Sequence, residues 1–238
     1  MTLTYGAASM RGGHPINEDA VGTARVDDCT LLAVADGLGA HAGAAQASRL
    51  AIEHSMAAFR KHPSAASDAL ATLFDAAHRG LVEATPERHK NDLRSTLAVL
   101  IADGADARWA HIGDSRVYHL QRGEVRARTR DHSVPEMLRR AGDIADEEIR
   151  HHPDRSRLLQ TLGQSATLKV AVSEGCRLEA GDAFLLCTDG WWEHVREDEI
   201  EATLRGAETP EAWLSRMQEL IETRAPQDNY SAVAALVK

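Results

Sequence analysis

Short runs of β-forming residues follow one another closely in the middle of the chain, and the connectors between them contain only a few residues. The runs are Ser95–Ala102, Ala107–Ile112, Arg116–Leu120 and Glu124–Ala127. Connectors such as DGAD and QRG can join only antiparallel neighbours, because a parallel crossover needs about a dozen residues. The sequence therefore predicts antiparallel sheet in this part of the chain.

Helices are predicted before and after this block of strands. Gly43–Arg60 and Ser64–Thr85 precede it, and Pro210–Thr223 follows it, opening with Thr-Pro-Glu as a cap and first turn. Further strands are predicted at Ala20–Val26, Thr30–Ala35, Ala183–Cys187 and Tyr230–Val237. Meandering strands combined with paired helices predict an α+β architecture of antiparallel sheets covered by helices.

A single domain, residues 1–238, is expected because no Pro/Ser-rich linker, repeat or low-complexity run divides the 238 residues. Residues 131–164 are charged and irregular, with weak helical signals in VPEMLRRAG and ADEEIRHH. An irregular insertion of this length in a compact domain is usually functional or mobile.

The charge balance argues against several classes of function. Acidic residues number 36 against 27 Lys and Arg, a net charge of −9, whereas a nucleic-acid binder usually carries a basic surface. We see no signal peptide and no apolar run of about 20 residues, so we expect a cytoplasmic protein without a membrane segment. The three cysteines have no CxxC spacing, which favours neither disulfides nor zinc.

The segment LLAVADGLGAHAGAAQAS, residues 31–48, resembles a nucleotide-binding loop only superficially. Gly37, Gly39 and Gly43 give the spacing GxGxxxG rather than GxGxxG, and another helix follows where a Rossmann unit needs a second parallel strand. What remains is Asp36 at the end of a buried strand, followed by a glycine whose carbonyl a ligand can approach. Taken alone, Asp36 could equally be a helix cap.

Further acids also lie at the ends of apolar strands or beside turns. They are Glu18 and Asp19 in INEDA, Asp114 in HIGDSR, Asp189 in LLCTDGWWE and Asp228 in QDNYSAV. Several carboxylates in one site repel one another unless cations neutralise them. Oxygen ligands favour hard divalent ions, so this pattern is typical of a site for Mg²⁺ or Mn²⁺.

The order of these segments resembles the metal-dependent protein phosphatases of the 2C type, the PPM family, from about Ala8 to Val237. The motifs that carry the resemblance are NEDA, VADGLGAHAG, STLAVL, HIGDSRVYHL, RDHS, LLQTLGQ, LLCTDGWWE and DNYSAV, in that order. The resemblance implies a four-layer α-β-β-α sandwich of two antiparallel sheets flanked by helices. It also implies a binuclear metal site in a cleft at one end, bordered by a flap at residues 131–164.

The resemblance implies a role for each acid. Asp36 would bridge two Mn²⁺ or Mg²⁺ ions, and the Gly37 carbonyl would complete the coordination of one of them. Asp189 and Asp228 would hold the other ion.

Three further acids and one amide have supporting roles in this scheme. Asp19 and Glu18 would bind the metals or the waters around them, with Glu18 and Asn229 placed behind the ligands. A third, looser metal would lie near Asp114.

In this family two metal ions activate a water for attack on phosphorus, with Asp36 at the centre of the reaction. His41 lies where the family places its proposed general acid, and an imidazole suits that task.

One position departs from the family pattern. His14 stands where an Arg usually grips the substrate phosphate, three residues before the Asn of NED. Three explanations remain open: His14 donates to phosphate in its charged form, Arg11 reaches in from a neighbouring position, or metal alone holds the phosphate. We favour the first.

The function implied is that of a bacterial serine/threonine phosphatase acting on phosphoproteins, as a monomer that reverses a eukaryotic-like Ser/Thr kinase. The alternative is an inactive relative that binds phosphoproteins as an adaptor. Such a protein should have lost metal carboxylates, whereas Asp19, Asp36, Asp189 and Asp228 are all present. A phosphatase for small phosphorylated metabolites is a third possibility.

Overall fold

A computed structural model describes residues 2–38, 42–85, 93–164 and 167–238. The strands are β1 Leu3–Met10, β2 Asp19–Val26, β3 Cys29–Leu38, β4 Arg94–Ser95, β5 Leu97–Asp103, β6 Asp106–Ile112, β7 Arg116–Gln121, β8 Glu124–Arg128, β9 Ala171–Val172, β10 Cys176–Arg177, β11 Ala183–Cys187 and β12 Tyr230–Val237. The α-helices are α1 Ala42–Lys61, α2 Ser67–Ala84, α3 Val134–Ala141, α4 Asp189–Trp192, α5 Glu197–Leu204 and α6 Pro210–Thr223, and a 3₁₀ helix covers Asp146–His151.

The strands form two sheets, and every pairing is antiparallel among the residues that the structure describes. The first sheet has the order β1-β12-β11-β7-β8. The second has the order β10-β6-β5-β3-β2, with β4 added to β3 and β9 to β6. The short connectors DGAD and QRG form the β5–β6 and β7–β8 hairpins, as predicted.

Alternate residues of the strands face different layers. In β3, Leu31, Ala33 and Ala35 pack in the core shared with α1 and α2, whereas Leu32 and Val34 pack between the sheets. On the other side, α6 contacts β1 and β12, and α5 contacts α6. Because each sheet has one face toward helices and one toward its partner, the molecule has four layers, α-β-β-α. The predicted fold class is confirmed.

Two features of the chain path were not predicted from the sequence. Strand β1, Leu3–Met10, pairs along its whole length with β12. The connector between β6 and β7, residues 113–115, carries the chain from the second sheet to the first, so the prediction that every short connector in this block makes an antiparallel hairpin is wrong here. This crossing places Asp114 at the end of the sandwich, between the two sheets.

The charged insertion contains short helices where weak helical signals occur in the sequence. Helix α3 begins after Ser133, whose hydroxyl accepts from the backbone N–H of Glu136, and it ends at Gly142 with φ 86°. A glycine is favoured there because the left-handed conformation is strained for other residues. In the described part of the chain, no helix combines the length and apolar character needed to span a bilayer.

Candidate metal centre

The candidate centre lies at the end of the sandwich where β2 begins and where β3 and β11 end. Asp19 at the start of β2 lies directly opposite Asp36 near the end of β3. Asp19 is buried, whereas Asp36 retains partial contact with solvent. Thr96 fixes the backbone of Asp36, since its hydroxyl accepts from Asp36 N–H at 2.8 Å and its own N–H donates to Asp36 O at 2.8 Å.

Gly37 follows at a point where β3 and α1 approach closely. A Cβ on Gly37 would lie 1.9 Å from the carbonyl oxygen of Ala44, so no other residue fits without moving the backbone. Its N–H donates to Glu18 O at 3.1 Å, which ties β3 to the segment before β2. A glycine at position 37 is therefore required by packing, independently of any ligand.

The second DG pair lies at the end of β11 and meets the start of β12. Asp189 opens α4 and accepts from Gly190 N–H at 2.8 Å. A Cβ on Gly190 would lie 2.0 Å from the carbonyl oxygen of Asn229. This close approach brings Asp189 beside Asp228, the residue that precedes Asn229.

Asn229 connects segments from the two ends of the chain. Its Oδ1 accepts from Glu18 N–H at 2.8 Å, and its Nδ2 donates to the carbonyls of Arg11 at 2.7 Å and Ile16 at 3.1 Å. The amide is 3% exposed, so these bonds are shielded from water. Asn229 therefore holds Glu18 and Asp19 against the loop that carries Asp228.

The electrostatics show that these acids lie close together. Burial raises the pKa of Asp36 well above its usual range, and the carboxylates of Asp189, Asp19, Asp114 and Asp228 raise it further. Burial and neighbouring carboxylates act in the same direction on the pKa of Asp189. The pKa of Asp19 is raised to about 7, chiefly by burial. A cluster of carboxyl groups that suppress one another's ionisation is stabilised by a cation.

Asp114 lies in the connector that crosses between the sheets. Burial, and then the carboxylate of Asp131, raise the pKa of Asp114 to about 7. Its Oδ1 is buried and has no hydrogen-bond partner among the described residues. A buried oxygen of this kind is unfavourable unless something binds it.

The available oxygen ligands fit hard divalent cations that keep several of their waters. In residues 2–38, 42–85, 93–164 and 167–238, no three His, Cys, Asp or Glu side chains converge closely enough to enclose an ion by themselves. Mg²⁺ usually keeps several waters and takes only one or two carboxylates from the protein. The clustered carboxylates, the orphaned oxygen of Asp114 and the absence of softer ligands in the cluster therefore fit water-rich Mg²⁺ or Mn²⁺ sites.

Of the three residues predicted to bind the phosphate or protonate the leaving group, the structure places one beside the acidic cluster and turns one away from it, and it does not describe the third. His14 Nε2 lies 3.8 Å from Asp228 Oδ1, so this imidazole is at the edge of the acidic cluster. Arg11 instead donates from Nη1 to Pro15 O at 3.3 Å, and its side chain is exposed. His41 lies outside the described residues.

Sequence reasoning missed the groups that support the cluster. Arg116 is 2% exposed, pairs with both oxygens of Asp131 at 2.9 and 2.7 Å, and lies 3.5 Å from the centre of the Trp192 ring. The indole N–H of Trp192 donates to Asp114 O at 2.9 Å. The motifs GDSR and RDHS contained Arg116 and Asp131, but nothing in the sequence indicated that they form a pair.

A histidine pair anchors the start of the charged insertion to the same connector. His132 N–H donates to Gly113 O at 2.8 Å, and Gly113 N–H donates to His132 Nδ1 at 3.2 Å. The His132 ring stacks on His111 at 4.8 Å, and His111 Nε2 donates to Arg130 O at 2.8 Å. Burial lowers the pKa of both imidazoles, that of His132 to about 4.

The sequence profile of the protein phosphatase 2C family matches residues 5–238. This chain is a protein phosphatase 2C family member. It is 32% identical over 99% of its length to the serine/threonine protein phosphatase PstP of Mycobacterium tuberculosis, and spans 45% of that protein, about half its length. It is 29% identical over 84% of its length to the serine/threonine phosphatase stp of Listeria monocytogenes, and covers 79% of that protein.

A solved structure of the PstP catalytic domain, in complex with two manganese ions, is also similar. It superposes with a TM-score of 0.80 at 30% identity, and 99% of each chain is covered. The resemblance inferred from the motifs is thus confirmed at the level of the family and the fold.

Proposed function

We propose that this 2C-family chain is a metal-dependent protein serine/threonine phosphatase. The observation that carries the proposal is the group of carboxylates at one end of the sandwich: Asp19 lies directly opposite Asp36, and burial together with Asp189, Asp19 and Asp114 raises the pKa of Asp36. The named activity of the relatives supports it. The adaptor alternative has no support from this cluster, because none of the expected carboxylates has been lost.

The residues at the sheet ends would hold the ions. Asp36 would bridge them with the Gly37 carbonyl beside it, while Asp189 and Asp228 would bind from the β11 and β12 side. Two ions at such a site lower the pKa of a water toward neutrality and offset the negative charge of the phosphoryl oxygens. We propose Mn²⁺ or Mg²⁺, two ions, with a third near Asp114.

The remaining site residues would orient the metal ligands, bind the substrate phosphate and protonate the leaving group. The segment Glu18–Asp19, braced by Asn229, would orient the ligands and their waters. His14 at the edge of the cluster would donate to the substrate phosphate, and Arg11 is disfavoured for this task because its guanidinium turns to Pro15. His41 stays a prediction as the proton donor to the leaving alkoxide.

The substrates would be phosphoserine and phosphothreonine proteins, including those of a eukaryotic-like Ser/Thr kinase. We further propose a cytoplasmic monomer. The proposed substrates, location and monomeric state rest on the family and on the candidate site.

Hydrolysis of a phosphothreonine peptide and of p-nitrophenyl phosphate tests the proposal, with Mn²⁺, Mg²⁺ or EDTA present. We expect activity only with a divalent ion, and a loss on the order of 10³-fold in Asp36→Asn, equivalent to about 4 kcal/mol of transition-state stabilisation. Asp75→Asn is the matched control, since Asp75 is a 61% exposed carboxylate on α2. A folded, metal-loaded protein that is inert on both substrates would overturn the proposal.

A further inference from the structure

A buried threonine hydroxyl touches one of the candidate ligands. Thr188, fully buried just before Asp189, donates from Oγ1 to Asp19 Oδ2 at 2.9 Å. The same hydroxyl accepts from Ser231 N–H at 3.0 Å, and Thr188 N–H donates to Ser231 O at 3.0 Å. Ser231 thus fixes the position of the hydroxyl, whose proton has the Asp19 carboxylate at 2.9 Å and the Ser231 carbonyl only at 3.4 Å, so it points to Asp19.

A second chain of hydroxyl groups leads toward the same carboxylate. Asn17 Nδ2 donates to Ser9 Oγ at 2.8 Å, and Ser9 Oγ lies 2.8 Å from Ser231 Oγ. Burial raises the pKa of Asp19, and the nearby Ser231 hydroxyl acts on that pKa in the opposite direction. An amide nitrogen can only donate, so the Ser9 proton is free to point to Ser231, and the Ser231 proton to Asp19.

These contacts help to keep the Asp19 carboxylate in place despite repulsion from Asp36. Asp19 faces Asp36 across the β2–β3 ladder, and two carboxylates in that position repel each other. The terminal torsion of an aspartate is broad, so repulsion alone would let the carboxyl group rotate away. The hydrogen bond from Thr188, with the Ser231 hydroxyl nearby, restricts this rotation and holds the carboxylate in place.

We propose that Thr188, supported by the Ser231–Ser9–Asn17 chain, is a positioning residue that fixes the carboxylate of Asp19 for metal binding. Hydrogen bonds to a metal-binding side chain typically set its orientation, and their loss lowers metal affinity or activity about 10- to 100-fold. The inference rests on the proposed function, because it requires that Asp19 takes part in holding a metal. It assigns no chemical step to Thr188 itself.

Isothermal titration of the metal-free protein with Mn²⁺ is the direct test. We expect Thr188→Val, which keeps the shape but removes the hydroxyl, to raise the Mn²⁺ dissociation constant about 10- to 100-fold. Thr188→Ser restores the hydroxyl and should bind like the wild type. At saturating Mn²⁺, the kcat of Thr188→Val should be closer to the wild-type value than its Mn²⁺ dissociation constant is.

Thr129→Val is the matched control for lost stability. Thr129 is also buried, and its hydroxyl accepts a backbone N–H, that of Val117 at 3.0 Å, without touching a candidate ligand. It should lose stability as Thr188→Val does but keep its Mn²⁺ affinity. Equal Mn²⁺ affinities for Thr188→Val and Thr129→Val would overturn the inference.

Two further variants keep the result interpretable. If Thr188→Val does not fold, Ser231→Ala removes the second hydroxyl group while keeping the backbone hydrogen bonds of β12, and it must also weaken Mn²⁺ binding. If Asp19→Asn binds Mn²⁺ as well as wild type does, Asp19 is not involved and the inference fails. A wild-type protein that binds no Mn²⁺ would instead refute the proposed function.

Discussion

The Arg116 guanidinium is a charge placed almost entirely out of water. Its side chain is 2% exposed and that of Asp131 is 3% exposed. The bidentate pair and the Trp192 ring satisfy the cation where water cannot. A single substitution at this point therefore has a large and specific effect on stability.

We expect Asp131→Asn to lower the free energy of unfolding by about 3 kcal/mol, because it leaves the buried Arg116 charge without its main partner. Urea unfolding in EDTA measures this without any contribution from bound metal. Asp154→Asn, an exposed position in the same insertion, is the control and should unfold like wild type. Equal midpoints for both variants would contradict the prediction.

The stacked His111–His132 pair makes stability depend on pH. Burial lowers the pKa of His132 to about 4 from an unfolded value of about 6.5, so the folded state favours the neutral ring. Its contribution is complete above about pH 6.5 and is lost as the pH falls from there toward about 4. Protonation at Nδ1 would also break the bond from Gly113 N–H.

Unfolding free energies measured in EDTA between pH 7 and pH 5 check this dependence. His132→Asn keeps an acceptor near the Nδ1 position but does not titrate, so it should lose less stability on acidification than wild type. His62→Asn, an exposed position just after α1, should follow the wild-type curve. If His132→Asn also follows it, His132 is not the group responsible.

At the scale of elements, the end of the charged insertion is fastened to both the second sheet and α2. Leu162 exchanges backbone hydrogen bonds with Ser95, at 3.3 and 2.8 Å. Gly163 N–H donates to His78 Nδ1 at 3.2 Å. Gly163 has φ +77°, and a Cβ there would lie 1.9 Å from Leu93 O. The insertion is thus held at its base on both sides, by His132 and by Gly163.

Gly163→Ala should destabilise the protein by more than the strain of a left-handed residue, which is about 1–3 kcal/mol. Gly142→Ala is the control, because Gly142 has φ +86° with nothing within 4 Å of an added Cβ. The difference in urea midpoint between these two variants isolates the close backbone approach. Similar midpoints would show that the base of the insertion can shift to accept the methyl group.

The elements that the sequence predicted well are those with strong local signals. The Pro210–Thr223 helix and the Tyr230–Val237 strand have the predicted bounds, because cap residues and a continuous apolar run determine them locally. Strand β1 was missed, since its partner β12 lies 220 or more positions away along the chain. The crossing at residues 113–115 was equally invisible, because connector length alone does not say which sheet comes next.

The same distinction applies to the candidate site. The acids were recognisable because each sits in a short motif at the end of an apolar run. The groups behind them were not, because Thr188 and Asp19 are 169 positions apart and meet only through the packing of two sheets. Nothing in either local sequence specifies that contact.

At the scale of the whole molecule, a chain of net charge −9 concentrates carboxylates at one end. Divalent ions that bind only the folded state should therefore stabilise it, by about 2.7 kcal/mol when the ion is at 100 times its dissociation constant. We expect Mn²⁺ to raise the melting temperature of wild type, and EDTA to reverse the shift.

Asp36→Asn should show little of this shift. In EDTA it should melt no lower than wild type, because it removes one of the repelling carboxylates. NaCl at matched ionic strength is the control for general screening of the acidic surface. A shift of the same size with NaCl, or in Asp36→Asn, would argue against a specific metal site.

Asn229, just before β12, is hydrogen-bonded to Arg11, Ile16 and Glu18, which lie as many as 218 positions earlier in the chain. During synthesis on a ribosome, the residues around Asp19 and Asp36 emerge long before their partners at Asp189 and Asp228. The acidic cluster can therefore assemble only once β12 has left the exit tunnel and paired with β1. An incomplete nascent chain has no means of forming the centre, so its assembly coincides with completion of the fold.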